Sequence, residues 1–192
     1  MNLPNKLSVL RLCLIPVFAA AYFIYRLPYN FLIAGIVFAV AAFTDFLDGH
    51  IARKYGLVTD LGKFLDPIAD KVLVATAYII MLVPAGKGTA VMPWYCAIGT
   101  TIILARELIV SGFRMVAASK GLVLAADKAG KLKTVVQDIA AVVLLVGKQF
   151  MPEIYSAFNI AGLVLFGIAI LLTVVSGTEC IVKNRAVLAG EK

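Results

Sequence analysis

The sequence predicts an all-α integral membrane protein with six transmembrane helices and both termini in the cytosol. Three observations predict it. Hydrophobic residues make up 62% of the chain and charged residues only 15%, too few charges to clothe a soluble domain of this length. The apolar residues come in runs that approach the ~20 needed to cross a bilayer as a helix. The polar–apolar alternation of half-buried strands is missing over long stretches. At 192 residues the chain suits one compact domain, 1–192, and it holds neither an internal repeat nor a low-complexity segment.

The first candidate span, 7–25, has the look of a cleavable leader, with Lys6, Arg11 and then Ala19-Ala20-Ala21. Its apolar run continues through Tyr22, Phe23, Ile24 and Tyr25, and five more spans follow, so it reads as a retained helix. Leu27-Pro28 breaks the chain before the second span, 29–54. Asp60 stands where a cap for the third, 61–84, is expected. The stretch from Pro84 to Pro93 precedes the fourth, 93–118. Asp127 suits the cap of the fifth, 130–150, and Met151-Pro152 separates it from the sixth, 154–182.

Charge fixes the orientation. Lys6 and Arg11, Arg53 and Lys54, then Lys120, Lys128, Lys131 and Lys133, and finally Lys183, Arg185 and Lys192 fall at one set of span ends. Only Arg26, Lys87 and Lys148 fall at the other. The basic side is cytosolic, which makes the chain a multi-pass protein of the cell membrane with both termini in the cytosol. The same rule, with anionic headgroups, accounts for the net charge of +7, and nucleic acid is not expected as a partner. The three cysteines, Cys13, Cys96 and Cys180, sit in or at the end of apolar runs without a CxxC pair. They read as small apolar filler.

Charges inside membrane helices are costly and call for a reason. The second span is apolar from Phe31 to Phe43 and then reads Thr44-Asp45-Phe46-Leu47-Asp48-Gly49-His50-Ile51-Ala52-Arg53. At ~100° per residue, Asp45, Asp48, Gly49 and Ala52 share a narrow face. The third span repeats the pattern with Gly62, Asp66, Ala69 and Asp70. A short loop joins the two helices, so the stripes can face each other. Four carboxylates at close range would raise one another's pKa. Hard divalent cations resolve that conflict, and oxygen ligands suit magnesium, manganese or calcium. Two such ions ~3.5–4 Å apart would clamp a diphosphate. The small residues leave room for a bulky group against the backbone. About 16 residues of helix at ~1.5 Å each separate Tyr29 from Asp45, which puts the cluster near the cytosolic interface. A lipid-linked diphosphate would sit there.

The run D-x-x-D-G-x-x-A-R, eight residues, then G-x-x-x-D-x-x-x-D, over Asp45, Asp48, Gly49, Ala52, Arg53, Gly62, Asp66 and Asp70, resembles the signature of the CDP-alcohol phosphotransferase family at every defined position. The six-helix layout extends the resemblance over most of the chain. Pro4-Asn5-Lys6-Leu7-Ser8 is similar to the family's P-N-x-L-T opening, with Ser8 in place of the more usual Thr. The resemblance implies a CDP-linked lipid or alcohol held on a two-metal aspartate site. An acceptor hydroxyl attacks the phosphorus distal to cytidine, and CMP leaves. By position, Asp45, Asp48 and Asp66 would bind the two divalent cations, Mg2+ or Mn2+. Asp70 would complete the cluster or act as general base. Gly49, Ala52 and Gly62 would form the cytidine slot, Arg53 would contact phosphate, and Asn5 would approach the nucleotide. The resemblance also implies a homodimer.

The acceptor is read from the fourth and fifth spans. Arg106-Glu107, with Arg114 two turns on, and Gly130-Lys131-Leu132-Lys133-Thr134 resemble the branch of the family that condenses CDP-diacylglycerol with glycerol 3-phosphate. Arg106, Lys131 and Lys133, with Arg114, would then hold the acceptor phosphate, for which arginine offers a fork of donors. Arg106 has an alternative partner in Glu107 or Asp138. Inositol phosphate, serine and phosphatidylglycerol are the other acceptors for the same chemistry. His50 sits about 200° round its helix from Asp48, away from the metals. Asp138 reads as a structural counter-ion and Lys71 as a counter-charge beside Asp70. Tyr29, Trp94 and Tyr95 read as interfacial anchors. An ion-coupled transporter is the rival of another class, but it predicts charges near the midplane and often a two-half repeat.

Overall fold

A computed structural model describes residues 3–24, 26–55, 60–85, 92–122, 128–150 and 152–185, and within the helices the side chains of 3–5, 45–55, 60–67, 128 and 152–155 lie outside that description. Six helices follow one another: α1 (Leu3–Phe23), α2 (Asn30–Tyr55), α3 (Asp60–Met81), α4 (Tyr95–Ser119), α5 (Lys128–Gly147) and α6 (Pro152–Lys183). There is no strand among the described residues. The expected spans and the observed helices agree to within a few residues. α1 starts earlier than expected, because Pro4 falls in its first turn, where a missing N–H costs nothing. Asp60 is the first residue of α3. Asp127 lies outside the described residues.

Lys6–Phe23, Tyr95–Ser119 and Ser156–Lys183 are each long and apolar enough to cross a membrane, and Asn30–Thr44 is a shorter apolar stretch. The outer surface agrees with a lipid solvent. Leu108, Met115 and Leu171 are about 70% exposed on α4 and α6, a density of large apolar groups that water would not tolerate over a contiguous face. This is a membrane protein.

Contacts fix the direction of each helix. Arg11 on α1 reaches Ala41 on α2, while Asn30 at the start of α2 reaches back to Tyr22, so the two run antiparallel. Lys71 on α3 meets Ser111 on α4, and Val74 lies with Ile103, Leu104 and Glu107, again antiparallel. Leu144 meets Gly162 and Phe158 meets Gly147 between α5 and α6. α4 and α6 run parallel, Gly99 lying against Ile170 and Gly177 against Arg106. The helices therefore alternate in direction, and the described chain ends at the end of the bundle where α1 begins. Asp45 to Asp70, the start of α5 and the end of α4 share that end.

Small residues let the helices approach, as expected where lipid supplies no hydrophobic drive between them. Ala34, Ala41, Ala69, Ala77, Ala140, Ala141 and Ala169 are fully buried. A Cβ on Gly162 would come within 2.6 Å of the Leu144 side chain, so any larger residue at that α5–α6 crossing would have to push Leu144 aside. Phe18, Phe38, Leu73, Tyr78, Met81, Ile103, Leu145 and Phe166 fill the space between. Cys96 and Cys180 pack as small apolar groups, while Cys13 is exposed. At the opposite end from the aspartates, Lys148 donates to Tyr22 Oη (2.8 Å), which donates to the Val83 carbonyl (3.2 Å). The Lys148 ammonium lies over the Tyr22 and Phe31 rings, a cation–π arrangement that ties α1, α2, α3 and the end of α5 together. Tyr29, with a left-handed φ of 59°, turns the chain into α2 and projects its ring outward, as do Trp94 and Tyr95.

Candidate active site

The aspartate stripes fall at the end of α2 and the start of α3. Asp45, Asp48, Gly49, Ala52 and Arg53 lie on the last three turns of α2, and Gly62 and Asp66 on the first two turns of α3. Both segments are helical, as the spacing requires, and α2 packs on α3. The side chains of these residues, of His50 and of Asn5 lie outside the described residues. The level of Asn5 does not: since α1 is antiparallel to α2 and Arg11 faces Ala41, the first turn of α1 stands beside Asp45 to Asp48. Sequence reading counted Arg11 among the interfacial charges. The structure buries it completely, its Nε donating to the Ala41 carbonyl at 3.3 Å, one turn before Asp45. The Thr44 hydroxyl donates to the same carbonyl at 2.7 Å.

Asp70 is the signature aspartate whose surroundings are described. It is half-buried and lines a small pocket with Lys71 and Val74 of α3, Ile103, Leu104 and Glu107 of α4, and Lys133, Thr134 and Gln137 of α5. The third, fourth and fifth helices thus bring a carboxylate of the signature next to cations of the expected acceptor region. Lys133 is only 3% exposed. A buried ammonium must be paired, and Lys133 donates to Glu107 Oε1. Arg106 Nη1 donates to the same oxygen at 3.2 Å. Lys71 donates to Ser111 Oγ, and that hydroxyl donates to the Glu107 backbone carbonyl at 2.6 Å. Glu107 is therefore the hub of three cations, two through its carboxylate and one through its backbone.

Of the four expected acceptor cations, Lys133 lies in this pocket. Arg106 joins it through Glu107 but runs along the α4–α6 seam, its Nη2 donating to Ser176 Oγ at 2.9 Å. A Cβ at Gly177 would come within 2.9 Å of Arg106 Cγ, so the glycine makes the channel for that side chain. Arg106 Nε is buried without a hydrogen-bond partner. On its outer side Arg106 floors an apolar groove of about 410 Å³ with Ile109, Val174 and Ile181. Arg114 is half-buried one turn beyond Ser111, within electrostatic reach of Lys71. Lys131 is exposed at the start of α5. Of the two alternative partners for Arg106, the geometry selects Glu107.

Sequence reading passed over three polar residues here, Ser111, Gln137 and Ser176, and named Glu107 only as a partner of Arg106 and not as the centre of the cluster. Spacing carried a signal for two of them. Ser111 lies four residues after Glu107, and Gln137 four after Lys133, so each continues a polar stripe along an otherwise apolar helix. Lys71, read as a counter-charge to Asp70, in addition reaches across to α4.

Residues 1–175 match the CDP-alcohol phosphatidyltransferase family. The chain is 41% identical to the CDP-diacylglycerol–glycerol-3-phosphate 3-phosphatidyltransferase of Bacillus subtilis, over 95% of each chain. It is 38% identical to the enzyme of the same name from Rickettsia bellii, over 92% of this chain and 91% of that one. It is also 38% identical to a probable phosphatidylglycerophosphate synthase of Mycobacterium tuberculosis, over 98% of this chain and 84% of the relative. With a signature run on α2 and α3 and a match across nearly its whole length, the chain belongs to the CDP-alcohol phosphatidyltransferase family.

Proposed function

We propose that this protein transfers the phosphatidyl group of CDP-diacylglycerol to glycerol 3-phosphate, giving phosphatidylglycerophosphate and CMP. The observation that carries the acceptor choice is the pocket in which Asp70 stands beside Lys71, Lys133 and the Glu107 hub, read together with relatives named for this reaction. A serine acceptor brings no phosphate, so the cations gathered on Glu107 would have no part in holding it.

In this reading the membrane is crossed six times, with the aspartate end of the bundle facing the cytosol, and the chain works as a homodimer. Asp45, Asp48, Asp66 and Asp70 would hold two divalent cations, Mg2+ or Mn2+. Four carboxylates from two packed helices are a donor set of the right kind for hard cations, which when bound would polarise the diphosphate and offset its charge. Gly49, Ala52 and Gly62 leave space for cytidine, with Asn5 at the level of the cluster, and Arg53 contacts the diphosphate. Lys133 and Lys71, supported by Arg106, Arg114 and Lys131, draw the acceptor phosphate to the α4–α5 side. Asp70 accepts the proton of the attacking hydroxyl. That oxygen bonds to the phosphorus that carries diacylglycerol, and the bond from this phosphorus to the CMP oxygen breaks, with the electron pair leaving on CMP. An acceptor panel tests the assignment. Purified protein with CDP-diacylglycerol should release CMP with glycerol 3-phosphate far faster than with inositol phosphate, serine or phosphatidylglycerol. A preference for serine would overturn the choice of acceptor and leave the class of chemistry standing.

A further inference from the structure

Gln137 lies in the pocket beside Asp70 and has no part in the chemistry above. Its residue is only 2% exposed, and its Oε1 is buried without a hydrogen-bond partner. Burying a carboxamide acceptor unpaired is costly, so the position calls for a hydrogen-bond donor from outside the protein. The Gln137 backbone carbonyl is already engaged, accepting from Tyr78 Oη at 2.7 Å, which fixes the register of α5 against α3. Lys133, Thr134 and Gln137 share one face of α5, and Gln137 is the deepest of the three.

The chemistry of that donor follows from its neighbours. The free space there is about 10 Å³ and partly open, so only the small part of a ligand that meets the carboxamide, about the size of one water, need fit inside it. An anion there would face Glu107, and a cation would face Lys71 and Lys133. A neutral hydroxyl donor fits all three constraints. On the glycerol 3-phosphate reading, which this inference rests on, the phosphate goes to the lysines and the attacking primary hydroxyl to Asp70. One polar group remains, the secondary hydroxyl. We infer that Gln137 is a specificity-determining residue whose carboxamide accepts a hydrogen bond from the secondary hydroxyl of the acceptor. A site built to bind a hydroxyl discriminates against the analogue that lacks it, because its own polar group is then left unpaired.

The test compares glycerol 3-phosphate with 3-hydroxypropyl phosphate, which keeps the attacking hydroxyl and the phosphate and lacks only the secondary hydroxyl. Wild-type protein should favour glycerol 3-phosphate by about 10- to 100-fold in kcat/KM. Gln137→Met, of similar length and apolar, should bring the two acceptors within about threefold of each other, with KM for CDP-diacylglycerol unchanged. Gln137→Asn, which retracts the carboxamide, should do the same and serves if the Met variant does not fold. A structural role would slow both acceptors alike and keep their ratio, which would overturn the inference. So would equal use of the two acceptors by the wild-type protein, a result that needs no variant. Failure of the wild-type protein to use glycerol 3-phosphate at all, with transfer to another alcohol, would overturn the underlying acceptor reading instead.

Discussion

Replacing Glu107 by Leu separates what holds the acceptor region together from what binds the acceptor. The carboxylate of Glu107 is 18% exposed and its partner Lys133 only 3%, so screening by solvent is weak. Removing one member of a buried ion pair strands the other charge, at a cost of about 3–5 kcal/mol. Arg106 loses its 3.2 Å contact in the same variant but keeps Ser176, so the larger share falls on Lys133. At about 2–4 °C per kcal/mol for a chain of this size, Glu107→Leu should lower the thermal midpoint in detergent by roughly 6–20 °C. Removing both charges together, in Glu107→Leu/Lys133→Met, should recover most of that loss, because a well-packed apolar pair is often as stable as the ion pair it replaces. Activity should not follow stability. The double variant should remain impaired for glycerol 3-phosphate, its KM raised about tenfold or more, while KM for CDP-diacylglycerol stays near the wild-type value. The assay is a thermal melt of the four members of the cycle alongside CMP release with each substrate varied. A single Glu107→Leu variant that melts within about 2 °C of wild type, or a double variant as unstable as the two singles summed, would refute the account of Glu107 as hub.

Other variants probe other parts of the site. Asp45→Asn, Asp48→Asn or Asp66→Asn should each abolish turnover and weaken divalent-cation binding, and near-normal activity in any of them would sink the two-metal reading. Asp70→Asn should keep CDP-lipid bound but lose transfer; loss of nucleotide binding as well would make Asp70 mainly a ligand. Arg106→Ala should raise KM for glycerol 3-phosphate by about 10- to 150-fold, the equivalent of one charge-assisted hydrogen bond, with the donor little affected. Equal damage to both substrates would mark Arg106 as a packing element of the α4–α6 seam. Gly162→Leu should destabilise by about 1–3 kcal/mol through overpacking against Leu144, seen as a lower thermal midpoint with KM values unchanged.

The helices were legible because a bilayer leaves the chain little choice. Backbone groups must be satisfied within each apolar segment, and Leu27-Pro28, Pro84 to Pro93 and Met151-Pro152 mark the breaks. The signature on α2 and α3 was legible for a related reason: carboxylates in such segments stand out against their surroundings. The partners of the cations were not. Arg11 looks like an interfacial charge until α2 is folded over it and the Ala41 carbonyl comes within reach. Arg106 had Glu107 and Asp138 as candidates at the level of sequence, and the choice follows from the parallel packing of α4 and α6, which brings Ser176 and Gly177 beneath it. Gln137 carried a spacing signal, but its meaning depends on Asp70 and Glu107 arriving from two other helices. The expected opposition of the two aspartate stripes falls on side chains at 45–55 and 60–67, outside the described residues, and rests on the spacing and on the packing of α2 against α3.

The central claim is phosphatidyl transfer to glycerol 3-phosphate, and its most direct measurement is the stoichiometry of products. Purified protein in mixed micelles of detergent and CDP-diacylglycerol, with Mg2+ and glycerol 3-phosphate, should form phosphatidylglycerophosphate and CMP in equal amounts, with both lost when glycerol 3-phosphate is left out. Release of CMP at the same rate without the acceptor, or a lipid product that lacks the second phosphate, would contradict the account.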